Sequence, residues 1–317
     1  MPRKTDLIVI GSQATLDHFA VMPSLPGVGG IAFSPGLTLS LKKEHFGGCS
    51  LNISLAAAKL GAKVSVFCTA GNDFYSSGYQ AHLNRFNVDS DSILILDDKS
   101  CPHCYSLYDS KGDGLFFMDA VDVSHSYDIT VPEESLSKAK QILVVGGSDT
   151  SPLAASCLQV AKRASELRIP VTLAVIGKAY EVSAEFVRLA DTVFCNRFEA
   201  EQMCENFGLK DFESLINLGP RTFFITMGMS GSLVISKGKT FSISAVHVPT
   251  VVDPTGAGDA FAGATLTALI NGYSPEASAK VGSVVSSFVV EKNGCQTNLP
   301  SWKTMLQRYQ SFFGSIH

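Results

Sequence analysis

Charged residues are scarce. Asp, Glu, Lys and Arg make up 17% of the 317 residues, and the net charge is −4. A chain charged this sparsely offers no basic face to nucleic acid and no polybasic patch to an anionic membrane. Neither is expected as a partner. Apolar runs are short as well, and none approaches the roughly 18 residues that a membrane-spanning helix needs. Arg3-Lys4 precedes only a brief apolar stretch, which does not make the h-region of a secretory signal. Eight cysteines are present, at 49, 68, 101, 104, 157, 195, 204 and 295, without the spacing of a disulfide framework. They read as reduced thiols in a cytoplasmic protein. Internal repeats, low-complexity tracts and an evident linker are missing too. What remains is 45% hydrophobic and long enough for one large α/β domain with a small appendage.

Short continuous apolar runs alternate with helical patterns, the rhythm of a parallel sheet covered on both faces. Strands are expected at 7–10, 63–68, 92–96, 141–145, 171–174, 192–195, 222–226, 232–236 and 240–246. Helices are expected at 53–60, at 74–86 with Asp73 as N-cap, at 152–167, 182–189, around Glu201 to about 206, at 257–269, 275–291 and 301–309. Two stretches break the rhythm. Leu37-Thr38-Leu39-Ser40-Leu41 alternates as a half-exposed strand would. Tyr105–Tyr108 and Leu115–Met118 flank Lys111-Gly112-Asp113-Gly114, a hairpin signal. Cys101-Pro102-His103-Cys104 opens that hairpin. A strand follows it rather than a helix, and no second close Cys/His pair accompanies it, so a structural role is expected rather than redox chemistry or zinc.

The stretch that carries chemistry is Val252-Asp253-Pro254-Thr255-Gly256-Ala257-Gly258-Asp259-Ala260-Phe261. It runs from the end of a β-like segment into a small-residue helix. Gly256, Ala257 and Gly258 leave the amides bare at a helix start, where aligned peptide dipoles favour an anion. Asp259 stands one residue further on. A carboxylate beside a phosphate site is electrostatically unfavourable unless it has a task, and taking a proton from an attacking hydroxyl is such a task.

This run resembles the signature of the ribokinase-like (PfkB) carbohydrate and nucleoside kinases, and further matches follow in family order along nearly the whole chain. The resemblance implies a doubly wound three-layer α/β/α domain, formed by 1–11, 47–98 and 126–317. It implies a small β-sheet lid from 12–46 and 99–125. The activity implied is transfer of the ATP γ-phosphate to a hydroxymethyl group of a sugar or sugar derivative. An adenosine-like nucleoside kinase is the alternative, and a non-catalytic ligand-binding regulator on the same scaffold is the second.

The resemblance also implies roles for individual residues. Asp17, after the first strand, matches a residue that binds substrate hydroxyls, and a carboxylate can accept from both hydroxyls of a vicinal diol. Gly47, Gly48 and Asn52 match the family's substrate motif. Asp259 matches the base, with Gly256, Ala257 and Gly258 as the anion hole. Asn196 and Glu199 match a motif that organises Mg2+ and phosphate through water. Thr226, Gly228 and Gly231 resemble the nucleotide-binding hairpin, and Asn293 and Gly294 the loop near the adenine. Asp253 and Thr255 match positions beside a monovalent-cation site of the K+ type, or Asp253 simply ends its strand before Pro254. A homodimer through the lid is implied by analogy. Two departures point away from ribokinase proper: Cys49 stands where Lys would follow the two glycines, and Phe194-Cys195 precedes Asn196 in place of Lys-Pro. A nucleoside would need an aromatic surface for its base; Phe33, Phe46, Tyr105 and Phe117 are the candidates near the lid.

Overall fold

Leu7, Ile8, Val9 and Ile10 form the centre of a sheet and send side chains to both faces. In the computed structural model, Leu7 and Val9 enter one apolar cluster while Ile8 and Ile10 enter another, as the two-residue period of a strand requires. Both faces are therefore cores, which is why the run is apolar throughout. The structure describes residues 5–27, 31, 34, 37–109, 114–119, 127–148, 151–177, 179–236 and 238–316. Phe33 and the turn residues Lys111, Gly112 and Asp113 lie outside them.

The strands are β1 (Thr5–Gln13), β2 (Thr15–Val21), β3 (Glu44–Gly47), β4 (Val64–Gly71), β5 (Val88–Asp89), β6 (Leu94–Leu96), β7 (His103–Tyr108), β8 (Gly114–Asp119), β9 (Ala139–Gly146), β10 (Val171–Val175), β11 (Thr192–Asn196), β12 (Thr222–Thr226), β13 (Ser232–Ser236) and β14 (Lys239–Ile243). The helices are α1 (Leu37–Leu41), α2 (Cys49–Lys59), α3 (Tyr79–Asn84), α4 (Glu133–Ser137), α5 (Pro152–Glu166), α6 (Ala184–Leu189), α7 (Arg197–Phe207), α8 (Ala257–Ile270), α9 (Pro275–Val289) and α10 (Trp302–Phe313).

The large sheet runs β14-β13-β12-β11-β10-β9-β1-β4-β5, with β6 beside β4. It is parallel from β12 through β5, and antiparallel only at the β12-β13-β14 end. The cluster holding Leu7 and Val9 contains residues of α2, α8, α9 and α10; the other contains residues of α5, α6 and α7. Helix α8 packs close on α2 because Gly263 has no side chain: a Cβ there would stand 2.5 Å from the Ile53 carbonyl oxygen. The fold is the doubly wound α/β arrangement, in which ligands gather beyond the carboxyl ends of the strands at a switch in strand order.

A second sheet, β3-β2-β7-β8, stands apart from the first. Strands β7 and β8 pair antiparallel, His103 opposite Asp119 and Tyr108 opposite Gly114. Two expectations are corrected. Leu37–Leu41 is one helical turn, not a strand. Its alternation also places Leu37 and Leu41 four apart on one helical face, and five residues are too few to separate the two periods. The helix expected from 74 begins only at Tyr79. Asp73 caps nothing there: its Oδ1 accepts from the Cys101 amide at 2.8 Å, tying the start of the hairpin to the main domain. Cys101 and Cys104 are free thiols. Among the described residues no helix is long and apolar enough to cross a membrane.

Candidate active site

Helix α8 starts behind Gly256, whose φ of 75° is left-handed. A side chain there would be strained by the backbone alone. It would also meet Cys295, since a Cβ would stand 2.5 Å from the Cys295 Cβ. Gly258, by contrast, faces open space. The helix start thus offers amides to a cavity of about 190 Å³ lined by Gly256, Gly258, Asp259, Asn196, Glu199 and Thr226, among others. Val175, Asn196 and Thr226 are the last residues of β10, β11 and β12. The cavity therefore opens where the topology puts ligands.

Asp259 lies in the first turn of α8 and accepts a hydrogen bond from Asn52 Nδ2 at 2.8 Å. Burial pushes its carboxyl up to about 7; the Asn52 and Cys49 bonds pull the other way without cancelling it, and Asp17 and Glu199 add repulsion. The result is a carboxylate poised near neutrality, the range in which a base both ionises and still holds a proton well. Burial holds the Cys49 thiol well above its usual range, so it stands neutral beside Asp259.

Asn52 is itself held. Gln296 Nε2 donates to Asn52 Oδ1 at 2.8 Å and to the Tyr79 hydroxyl at 2.6 Å, and Tyr79 donates to the Gly47 carbonyl at 2.6 Å. A buried chain thus links the substrate motif to Asp259. Gln296 and Tyr79, which hold Asn52 and the Gly47 carbonyl, are positions at the candidate site that the sequence did not single out. Gln296 stands two residues past the singled-out Gly294, but nothing in its type announces a partner 244 positions away. Gln296→Met keeps the length and removes the amide, leaving Asn52 Oδ1 and the Tyr79 hydroxyl short of a partner. Stability should fall by about 1–3 kcal/mol, readable by urea unfolding; an unchanged midpoint would remove the chain from the account.

Asp17 sits on β2 and is buried. Thr15 Oγ1 donates to its Oδ1 at 2.7 Å, and Cys295 Sγ to its Oδ2 at 3.6 Å. Burial pushes it up to about 6 against both bonds, with Asp253 adding repulsion. Gly47 is glycine for this carboxylate: a Cβ at 47 would stand 2.0 Å from Asp17 Oδ2. Gly48 has a φ of +97°, and its bare Cα faces the Gln13 carbonyl.

Asn196 and Glu199 form a capping box at the start of α7. Glu199 Oε2 accepts from the Asn196 amide at 2.7 Å and Oε1 from the Gly177 amide at 2.9 Å, while Asn196 Oδ1 accepts from the Glu199 amide at 2.8 Å. Burial raises the Glu199 carboxyl even so. Both residues line the cavity, and a carboxylate with one donor on each oxygen retains lone pairs for metal-bound water. Thr226 lines the cavity as well. Gly228 and Gly231, with φ of 55° and 90°, shape the turn between β12 and β13 and do not reach the cavity wall. Asp253 is buried, its two oxygens accepting from the amides of Thr255 at 2.9 Å and Gly294 at 3.0 Å. The Thr255 hydroxyl is bonded to Tyr108 of the small sheet.

Side-chain alternation decides which aromatics face Asp17. Its cross-strand partners are His45 and Cys104, so Phe19, His45 and Tyr108 share its face. Phe46, Tyr105 and Phe117 align with Leu16 and His18 on the other face. Phe46 stacks on Tyr79 at 4.4 Å and Tyr105 on His18 at 4.7 Å. Phe19, His45 and Tyr108 border a second cavity, of about 410 Å³, together with Asp253 and Asn293.

A family model described as pfkB family carbohydrate kinase matches residues 39–302. The nucleoside kinase of Methanocaldococcus jannaschii is 24% identical over 270 residues, covering 84% of this chain and 86% of that protein. Its crystal structure gives a TM-score of 0.80 at 21% identity, covering 98% of this chain and 100% of that one. The nucleoside kinase of Burkholderia thailandensis in complex with inosine gives 0.78 at 20% identity, with 98% and 100% covered. The ribokinase of Arabidopsis thaliana complexed with ribose and ATP gives 0.76 at 22% identity, with 98% and 99% covered. The fold of this chain is the ribokinase-like one.

Proposed function

From the premise that the chain belongs to the pfkB family of carbohydrate kinases, and so is a phosphotransferase acting on an alcohol group of a sugar or nucleoside, we propose that it passes the γ-phosphoryl group of ATP to a hydroxymethyl group with Asp259 as base. The observation that carries this reading is the Asn52–Asp259 pair at the bare start of α8, with the carboxyl raised to about 7. Asp17 accepts from the acceptor's hydroxyls across Gly47. Asp259 takes the proton of the attacking hydroxyl as the oxygen–phosphorus bond forms and the bond to the leaving ADP breaks. The amides of Gly256, Ala257 and Gly258 meet the charge on the transferring group, a fixed stabilisation that costs no reorganisation during the reaction. Thr226, Asn293 and Gly294 serve the nucleotide, and Gly228 and Gly231 hold the turn behind Thr226. Asn196 and Glu199 fit Mg2+ through water, and the ion supplies charge neutralisation on the phosphates. Asp253 and Thr255 would order the loop beside the anion hole around a monovalent cation of the K+ type; the buried Asp253 carboxylate supports this.

We place nucleosides ahead of free sugars as acceptor, reversing the order expected from the signature alone. The relatives above include two nucleoside kinases, one holding inosine. Phe19 and Tyr108 share the face of Asp17 and offer aromatic surface to a base. With magnesium ATP and a panel of adenosine, inosine, cytidine, ribose and fructose, a nucleoside should exceed both free sugars at least tenfold in kcat/KM. A free sugar that leads by that margin restores the carbohydrate reading. Leu115, Phe116, Phe117 and Met118 are exposed on edge strand β8, which supports a second copy covering the lid.

A further inference from the structure

The face of the small sheet turned away from Asp17 carries side chains that phosphoryl transfer does not use. His18 on β2, Glu44 on β3 and His103 on β7 each bring one ligand atom within 4.8 Å of the others. Register explains the grouping. Glu44 stands directly across from His18, and His103 pairs with Leu16, one step diagonally on the other side. Side chains at opposed and diagonal positions of one face meet.

The protons can be placed. His18 Nδ1 lies 2.6 Å from the Leu41 carbonyl oxygen, and His18 Nε2 lies 2.7 Å from His103 Nδ1. A carbonyl only accepts, so His18 Nδ1 carries the hydrogen and Nε2 presents its lone pair toward His103. A metal requires that tautomer, and a ligand imidazole anchored through its other nitrogen to a carbonyl is the usual support for one. Tyr105 fixes the ring plane further, stacked on His18 at 4.7 Å and 12°. His18 is buried and cannot reorient freely, whereas Glu44 is exposed, which leaves an entry path.

We propose that His18 Nε2, His103 Nδ1 and a Glu44 carboxylate oxygen bind one divalent transition-metal ion of the Zn2+ type, with the fourth position open to water. Zinc–nitrogen bonds of about 2.0–2.1 Å place two tetrahedral ligands about 3.3 Å apart. On binding, the hydrogen that His103 Nδ1 donates to His18 Nε2 is given up and the neutral His103 ring carries its hydrogen on Nε2 instead, exchanged through solvent, and the two ligand nitrogens separate by only about half an ångström. Two imidazoles and one carboxylate select zinc-like ions over magnesium and calcium, which prefer oxygen donors. The site therefore does not compete for the ion carried by ATP. The bound ion ties β2, β3 and β7 together on the strand that carries Asp17, one residue away on the opposite face.

The test titrates the metal-free chain with Zn2+ by calorimetry and with Co2+ by visible absorption, alongside His103→Gln and Glu44→Gln. Both positions are partly or fully solvent-exposed, and circular dichroism checks that each variant folds. The expected result is one ion per chain, a cobalt spectrum of nitrogen and oxygen ligands, and affinity at least tenfold lower in each variant. Zn2+ should raise the melting temperature of the wild type and raise that of His103→Gln by less at the same concentration, since stabilisation by a ligand falls as its affinity falls. Affinity unchanged in both variants, a thiolate spectrum marking the cysteines as ligands, or no binding of either ion would overturn the proposal.

Discussion

Asp259→Asn should lower kcat by about 10²- to 10⁴-fold, the usual cost of losing a general base, while ATP still binds. The substitution keeps the shape and keeps an oxygen for Asn52 Nδ2, so the pocket should not rearrange. The same change should stabilise the fold at alkaline pH. The carboxyl is raised by burial from 3.8 to about 7 in the folded chain, so the folded state holds its proton more tightly than the unfolded one. Its contribution to stability is complete below about pH 4 and is lost as pH rises through about 7. Above that, the folded chain buries a charge, and Asn removes it. Melting temperature at pH 8 should therefore rise as turnover falls. Turnover within about threefold of the wild type would take Asp259 out of the mechanism, and a lower melting temperature at pH 8 would show that its charge is not a burden to the fold.

The second large effect is expected at Gly47. An added Cβ would lie 2.0 Å from Asp17 Oδ2, far inside any real contact, and the carboxylate is also held by Thr15 and Cys295. Gly47→Ala must push Asp17 aside. A misplacement near 1 Å costs about 10²-fold where reacting groups have to be aligned, so kcat/KM for the acceptor should drop by about that factor. The KM for ATP should change less, because Gly47→Ala acts first on Asp17, which this reading gives to the acceptor and not to ATP. Equal losses for both substrates, or none for the acceptor, would separate Gly47 and Asp17 from acceptor recognition.

The strand rhythm was legible because the core strands, such as Leu7 to Ile10, are apolar on both faces, while the three-layer arrangement followed from the family resemblance. The small sheet was harder. Leu37–Leu41 alternates like a strand yet forms a turn of helix, since five residues fit either period. Asp73 looked like a helix cap but bonds the Cys101 amide, a tertiary contact that local spacing cannot show. At the site, the run from Val252 to Phe261 stood out as a whole, because it resembles a family signature, whereas glycines before a carboxylate could equally be an ordinary helix start. Gln296 and Tyr79 did not, because their task is to hold Asn52 and Gly47, and only the folded chain brings them there. The aromatic candidates fared similarly: Phe46, Tyr105 and Phe117 stand on three strands, and only the pairing of β2 with β3 and β7, and of β7 with β8, shows that they share one face and that Asp17 is on the other.

The pH dependence of kcat/KM tests the role of Asp259 most directly. On the wild type, between about pH 5 and pH 9, the rate should climb with pH to a plateau. Asp17, raised to about 6, ionises first, and Asp259, raised to about 7, sets the upper limb, as the free enzyme's essential base should. The residual activity of Asp259→Asn should lack that upper limb. A wild-type profile that is flat from pH 5 to 9, or a variant that keeps the same limb, would contradict the assignment of Asp259 as the base.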